Sequence, residues 1–174
     1  MTDYKQTDAA QLQQRLTQLS DLLQACVAAG ASIGFTDPQD RASIERFWNS
    51  RAANLRSGES ELLIACQQDV VVGTVMINAG GMPNGRHRAE ISKLLVHPRA
   101  RRQGIARQLM QRAEQRAQAM GKTLLVLDTR SGDLASQLYL SLGWQIAGAI
   151  PRYAESITGE LEATTVMFRL LSEG

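Results

Sequence analysis

The chain has 174 residues, about one domain's length, and its 44% hydrophobic and 21% charged residues are a globular composition that excludes disorder along the whole chain. Lys plus Arg is 19 against 17 Asp plus Glu, a net charge of +2, too small for a polycation held on nucleic acid. Cys26 and Cys66 are the two cysteines, which excludes a disulfide framework and a CxxC zinc pair. They imply a reducing compartment, and with a polar start and no apolar run the expected location is the cytoplasm. The longest uncharged stretch, 134–151, is broken by Gly143, Gly148 and Pro151 and predicts no bilayer span.

In chain order, residues 1–11 read as a loose tail. Ser20 can cap a helix over 21–29, with Gly30 as its stop. Asp37-Pro38 marks a second helix start, and Ile44, Phe47, Trp48 and Leu55 give that helix an apolar stripe ending near Gly58. The β-branched runs 62–66 and 70–77 flank Gln67-Gln68-Asp69 and predict a hairpin. A glycine-rich loop, 80–85, leads to a strand over 87–96 stopped by Pro98. Arg99 to Gln103 form a basic turn. From Gly104 a helix carries Ile105, Leu109, Met110, Ala113, Ala117 and Met120 on one face until Gly121. Residues 124–127 are a continuous apolar run, expected as a central strand buried on both faces. A helix over 132–142 and strands over 144–150 and 164–170 complete the chain. The order predicts an α/β (α+β) domain spanning 1–174, a mixed sheet with helices on its faces. One strand–helix–strand crossover around Gly104 implies a parallel pair.

The chemistry concentrates at Leu94-Leu95-Val96-His97-Pro98-Arg99-Ala100-Arg101-Arg102-Gln103-Gly104-Ile105-Ala106. A buried strand ends, a basic turn follows, and a helix opens on glycine. Free N–H groups at a helix start, with the helix dipole and three arginines beside them, make an anion site and predict a phosphate-bearing ligand. Neither a Walker loop nor GxGxxG is present.

These residues resemble a known family. Arg101-x-x-Gly104-x-Ala106 after Val96-x-Pro98 resembles the acetyl-coenzyme A signature of the GNAT superfamily of N-acetyltransferases. Ala135-x-x-Leu138-Tyr139-x-x-x-Gly143-Trp144 is similar to its second signature, and the element order matches from about residue 12 to 171. The stretches 83–90 and 125–133 further resemble the tabtoxin-resistance branch. The resemblance implies a mostly antiparallel GNAT-like sheet with a splayed parallel pair. Acetyl-CoA is the implied co-substrate, held by Leu94, Leu95, Val96, Arg101, Arg102, Gln103, Gly104, Ile105 and Ala106, with no metal. By the same resemblance Tyr139 protonates the leaving thiolate, and Glu90 and Asp128 are the base carboxylates, acting through water. Many members carry an Asn where this chain has Gly132, so Ser131 or Asp133 would have to supply that polar contact.

Plainer readings stand beside each assignment. The arginines can be a solvated turn, and Tyr139 a core tyrosine. Glu90 can pair with Arg86 or Arg88, and Asp128 can cap a turn. His87 and Glu90 sit three apart on a strand, so joint metal ligation is not expected. The expected function is acetyl transfer to an amine or hydroxyl of a small polar molecule, with a β-lactam toxin of the tabtoxinine type, and hence toxin or antibiotic resistance, as the finer reading. Acetylation of a protein N-terminus or lysine, and coenzyme sensing without catalysis, are the alternatives. No nucleic-acid or membrane partner is expected, and the sequence leaves the oligomeric state open.

Overall fold

A computed structural model describes residues 1–172. Its elements in chain order are β1 (Thr2–Thr7), α1 (Ala9–Gln14), α2 (Leu16–Ala28), α3 (Arg41–Ser57), β2 (Ser60–Gln67), β3 (Val70–Ala79), β4 (Arg88–Val96), α4 (Ile105–Ala119), β5 (Leu124–Arg130), α5 (Leu134–Ser141), β6 (Gln145–Glu155) and β7 (Leu161–Leu170). The strands form one sheet of seven, ordered β1-β2-β3-β4-β5-β7-β6. Every neighbouring pair is antiparallel except β4–β5. This is the mixed sheet with one parallel pair that the element order predicts, and it is mostly antiparallel, as the family resemblance implies.

Each face of the sheet carries its own apolar core. On one, Leu12, Leu19, Leu22, Leu23, Ile44 and Trp48 of α1–α3 pack against Leu62, Ile64, Met76 and Leu95. On the other, Ile105, Leu109, Met110, Ala113 and Ala117 of α4 pack against Leu63, Val75, Ile77, Leu125, Leu127 and Met167. The period-2 alternation of each strand divides its side chains between the two cores. Cys26 and Cys66 are buried free thiols, as expected for small core residues.

The β2–β3 hairpin turns on Gln68 and Asp69, both at positive φ (51° and 62°), the two-residue geometry that matches strand twist. The stripe of α3 and its stop at Gly58, in the left-handed region at φ 80°, also agree with the sequence.

Several boundaries differ. Residues 1–11 are no loose tail. β1 pairs with β2 over six positions from Thr2↔Gln67 to Thr7↔Leu62, and Asp8 caps α1 with a reciprocal Asp8–Gln11 capping box. Leu12 is fully buried, and Arg112 lies 4.5 Å over the Tyr4 ring. A polar edge strand carries no hydrophobic signal of its own, because its stability comes from its partner strand. Ser20 is not a cap: it is fully buried inside α2, which begins at Leu16. Asp37 bonds the Gln39 N–H in a turn, and the cap of α3 is Asp40, whose carboxylate accepts from the Ser43 N–H. The apolar run of β5 is buried on one face alone, at Leu125 and Leu127, while Leu124 and Val126 are half-buried. The helix expected over 132–142 is shorter, because Gly132 sits at φ 84° and α5 starts at Leu134.

Candidate active site

The two parallel strands part company. β4 and β5 pair at Arg88↔Leu124, Ala89↔Leu125 and Glu90↔Val126 and no further. Beyond Glu90, β4 stays with β3 through Gly73↔Val96, and β5 stays with β7 through Arg130↔Thr164. An opening therefore forms between residues 91–96 and 127–130, leaving one backbone edge of β4 without a partner strand. A cleft of about 400 Å³ occupies it, lined among others by Glu90, Lys93, Leu94, Asp128, Arg130 and Tyr139.

A larger hollow of about 580 Å³ runs on towards the start of α4. Leu94, Leu95, Val96, Arg101, Arg102, Gly104, Ile105 and Ala106 line it on one side, and Ala135, Leu138 and Tyr139 of α5 on the other. Of the nine residues expected to hold coenzyme, Gln103 stands apart: its amide oxygen accepts from Gln67 Nε2 at 2.7 Å, which ties it to the end of β2. Arg99 also lies outside the hollow's lining.

The turn into α4 leaves its backbone donors open. Gly104, the N-cap, has φ 75°, and a Cβ built there would meet nothing within 4 Å. The backbone is open to close approach, and a non-glycine residue would be strained there. Among the described residues, no backbone N–H from Arg101 to Arg107 finds a carbonyl; the first such bond is Gln108 N–H to Gly104 O at 3.1 Å. Unpaired donors at a helix start, reinforced by its dipole, attract negative charge. The positive field also registers on His97, whose imidazole is held below its ordinary pKa by burial and by the charges of Arg99 and Arg101.

Tyr139 projects from α5 between the two hollows. It is 6% exposed, its ring lies 6.0 Å from that of Trp144, and its hydroxyl makes no hydrogen bond to a described residue. Burial, with smaller contributions from the charges of Asp133 and Asp128, pushes its pKa up to about 12. The phenol therefore holds its proton firmly and is free to offer it to a base stronger than water.

Glu90 and Asp128 face the same cleft from the two diverging strands. Loss of hydration at the cleft, then the negative charge of Asp128, raises the Glu90 pKa above the ordinary carboxylate value. Asp128 Oδ2 accepts from Thr164 Oγ1 at 2.8 Å, a bond across to β7 rather than a turn cap. Glu90 makes no ion pair with Arg86 or Arg88, and the Arg88 guanidinium lies against Gly85. Among the described residues no group of three His, Cys, Asp or Glu is gathered as metal ligands.

Arg130 lines both hollows and was not singled out by any sequence motif. It bridges three segments: Nε to Asp133 at 2.9 Å, Nη1 to the Gly30 carbonyl at 2.9 Å, and Nη1 to Glu162 at 3.4 Å. The 30–34 loop is thereby held over the cleft, of which Ala31, Ser32, Ile33 and Gly34 form a wall. Of the two residues expected to stand in for the Asn that Gly132 replaces, Ser131 shares a 2.8 Å hydrogen bond with Thr165, and Asp133 is engaged by Arg130 yet still lines both hollows.

Comparison with known proteins agrees with this geometry. The model of the acetyltransferase (GNAT) family matches residues 19–144. The N-acetyltransferase of the hisH-hisA intergenic region of Azospirillum brasilense, itself uncharacterised, is 31% identical over 117 residues, 66% of this chain and 68% of that one. The structure of yncA, a putative acetyltransferase from Salmonella typhimurium with its cofactor acetyl-CoA, superposes with a TM-score of 0.80 at 22% identity, covering 100% of this chain and 96% of that one. A GNAT superfamily phosphinothricin acetyltransferase from Sinorhizobium meliloti, in complex with acetyl-CoA, also gives 0.80 at 21% identity, covering 99% and 90%.

Proposed function

Because this chain belongs to the acetyltransferase (GNAT) family, we propose that, as one domain spanning its length, it moves the acetyl group of acetyl-CoA to an amine or hydroxyl of a small polar molecule. One observation carries the reading. The unpaired N–H groups of the Gly104 turn and the cleft holding Tyr139, Glu90 and Asp128 are two ends of adjoining hollows that share Leu94, Arg130, Asp133, Ala135 and Tyr139. An anion-binding end and a proton-transfer end so joined suit a long phosphorylated carrier with its reactive group at the far tip. Two proteins of the same fold carry acetyl-CoA in their structures.

The residues divide the work. Arg101, Arg102 and the N–H groups around Gly104 hold the pyrophosphate, and Leu94, Val96 and Ala106 pack along the chain that follows it. The coenzyme supplies an acetyl thioester. Glu90, with Asp128 beside it, takes a proton from the acceptor, directly or through a water, so that the acceptor's lone pair attacks the thioester carbon. A C–N or C–O bond forms and the C–S bond breaks. The Tyr139 hydroxyl gives its proton to the departing sulfur. The raised pKa makes Glu90 a stronger base than an ordinary carboxylate.

The finer reading, a β-lactam toxin of the tabtoxinine type as acceptor, rests on residues 83–90 and 125–133 alone. Thiol release from acetyl-CoA tests the whole reading, with small amines, amino acids, short peptides and that toxin offered in turn. Turnover with small acceptors is expected. Turnover with peptides alone would replace the acceptor class, and coenzyme binding without turnover of any acceptor would make the protein a sensor.

A further inference from the structure

On the α3 side of the sheet a second polar hollow of about 340 Å³ opens from the cleft, and the two share Glu90, Ser92 and Lys93. Ser92 and Lys93 are adjacent in sequence, so a regular strand would send their side chains to opposite faces. Here both line the same hollow. A bulge in the β3–β4 ladder lies between Thr74 and Met76, and within it Lys93 adopts φ 52°, a conformation disfavoured for a residue with a Cβ. Its carbonyl is pinned by Thr74 Oγ1 at 2.8 Å. The bulge is the device that turns this lysine into the hollow.

Two cations line it, and neither is held in an ion pair. Lys93 Nζ lies 4.9 Å and Arg51 Cζ 5.4 Å from the centroid of the Phe47 ring. Among the described residues, no carboxylate comes within the 4.0 Å of an ion pair for either. Lys93 Nζ has no hydrogen-bond acceptor there, and Arg51 has the Ser50 hydroxyl alone, at 3.3 Å. The neighbouring polar ladder points its spare donor the same way. Ser60 Oγ donates to Asn78 Oδ1 at 2.7 Å, and Asn78 Nδ2 donates to Ser92 Oγ at 2.7 Å. The Ser92 oxygen is thus an acceptor within the ladder, which leaves its own O–H to donate into the hollow.

We propose that Lys93, Arg51 and Ser92 bind the carboxylate of the acetyl acceptor, and that the acceptor is a free amino acid or similar small amine carrying an anionic group close to its nitrogen. This rests on the acetyl-transfer reading above. Glu90 lines both hollows beside Lys93 and would face the acceptor's nitrogen, so one negative group beside two positive ones mirrors a zwitterion. Burial holds the Lys93 ammonium below its ordinary pKa despite the opposing charges of Glu90 and Asp128, and Arg51 adds to the effect. An anionic ligand would relieve both. Glu59, the other carboxylate lining the hollow, is engaged by Asn54 Nδ2 at 3.0 Å and leaves the cations to the ligand.

The test compares L-leucine and L-glutamate with their carboxamides, by kcat/KM for thiol release from acetyl-CoA. The wild type should prefer the acids. Lys93→Met should reduce the acid-to-amide ratio about 10–100-fold, the range for losing a charge-assisted contact, while Lys93→Arg restores part of it. Arg51→Met, on a regular helix where no unusual backbone is needed, should reduce the ratio in the same direction. Calorimetry of L-glutamate against the coenzyme-loaded protein supplies an independent arm. If no acceptor turns over but the wild type binds L-glutamate and Lys93→Met does not, the anion site stands and the acetyl-transfer reading falls. Equal use of acids and amides by the wild type, an unchanged ratio in both Met variants, or turnover of peptides alone would overturn the proposal.

Discussion

At the scale of single residues, the site is a set of side chains whose proton affinities are moved by where they sit. Tyr139 is the sharpest case. Its phenol is nearly dry, with a pKa pushed up to about 12. Tyr139→Phe removes the proton and little volume. General acid catalysis is typically worth about 10²–10⁴-fold, so kcat should fall on that scale while the coenzyme dissociation constant, read by calorimetry, is unchanged. A wild-type kcat would return the ring to packing beside Trp144. Glu90 makes an opposite trade between stability and turnover. Its folded-state pKa is raised, so the fold favours the protonated form, and the stability linked to that proton is present at low pH and lost as pH rises through the raised pKa. At neutral pH the charged form is therefore a burden on the fold. Glu90→Gln should raise the melting temperature at pH 7 yet lower turnover, and should flatten the acid limb of the pH–rate profile. Asp128→Asn should shift that limb towards lower pH, because it removes the negative neighbour. With both changed, the loss should be smaller than the two single losses combined, as for groups acting as a unit. A Glu90→Gln variant with the wild-type profile would free these carboxylates from the chemistry. That Tyr139, Glu90 and Asp128 share a cleft is legible in the sequence, because Tyr139 falls on a motif position and the carboxylates on the stretches 83–90 and 125–133. The places of Lys93 and Arg130 are not. Lys93 enters the hollow through a bulge and a positive φ that no residue preference announces, and the Arg130 contact to Gly30 spans 100 residues.

At the scale of elements, the strand–turn–helix from β4 to α4 was readable because each step has its own local chemistry. Pro98 ends a strand, Gly104 alone suits the left-handed N-cap, and the 3.6-residue stripe of α4 names its buried face. The N-terminal elements were not readable for the same physical reason in reverse. β1 is polar and held by β2, and α1 runs into α2 with Arg15 alone between them. Asp-Pro suits a turn and a helix start equally; at Asp37 the turn prevails, and Asp40 caps α3. The Gly104 position gives the test of this scale. In Gly104→Val a β-branched residue is forced to φ 75°, where no contact clashes but the backbone is strained. The turn should relax and its N–H groups lose their common aim. Acetyl-CoA affinity should drop about tenfold or more, as expected when charge-assisted bonds to phosphate are lost. Unchanged affinity by calorimetry would dissociate the turn from coenzyme binding.

At the scale of the whole molecule, the sheet is a device for holding two strands apart. α1–α3 and α4 clamp opposite faces of β2–β4, each through its own core, while β5 is held on its far side by β7 over seven positions. The ladder between β4 and β5 lasts three. The opening is therefore set by the partners each strand keeps. The crossover helix marks the parallel pair in the sequence. The divergence came only from the family resemblance, since no residue pattern marks where a ladder stops. The account stands or falls on what fills that opening. Its most direct test is a crystal structure of the protein with acetyl-CoA. The account predicts the pyrophosphate on the N–H groups of the Gly104 turn and the thioester between β4 and β5 within hydrogen-bond reach of the Tyr139 hydroxyl. Coenzyme bound elsewhere, or with its sulfur turned away from Tyr139, would contradict it.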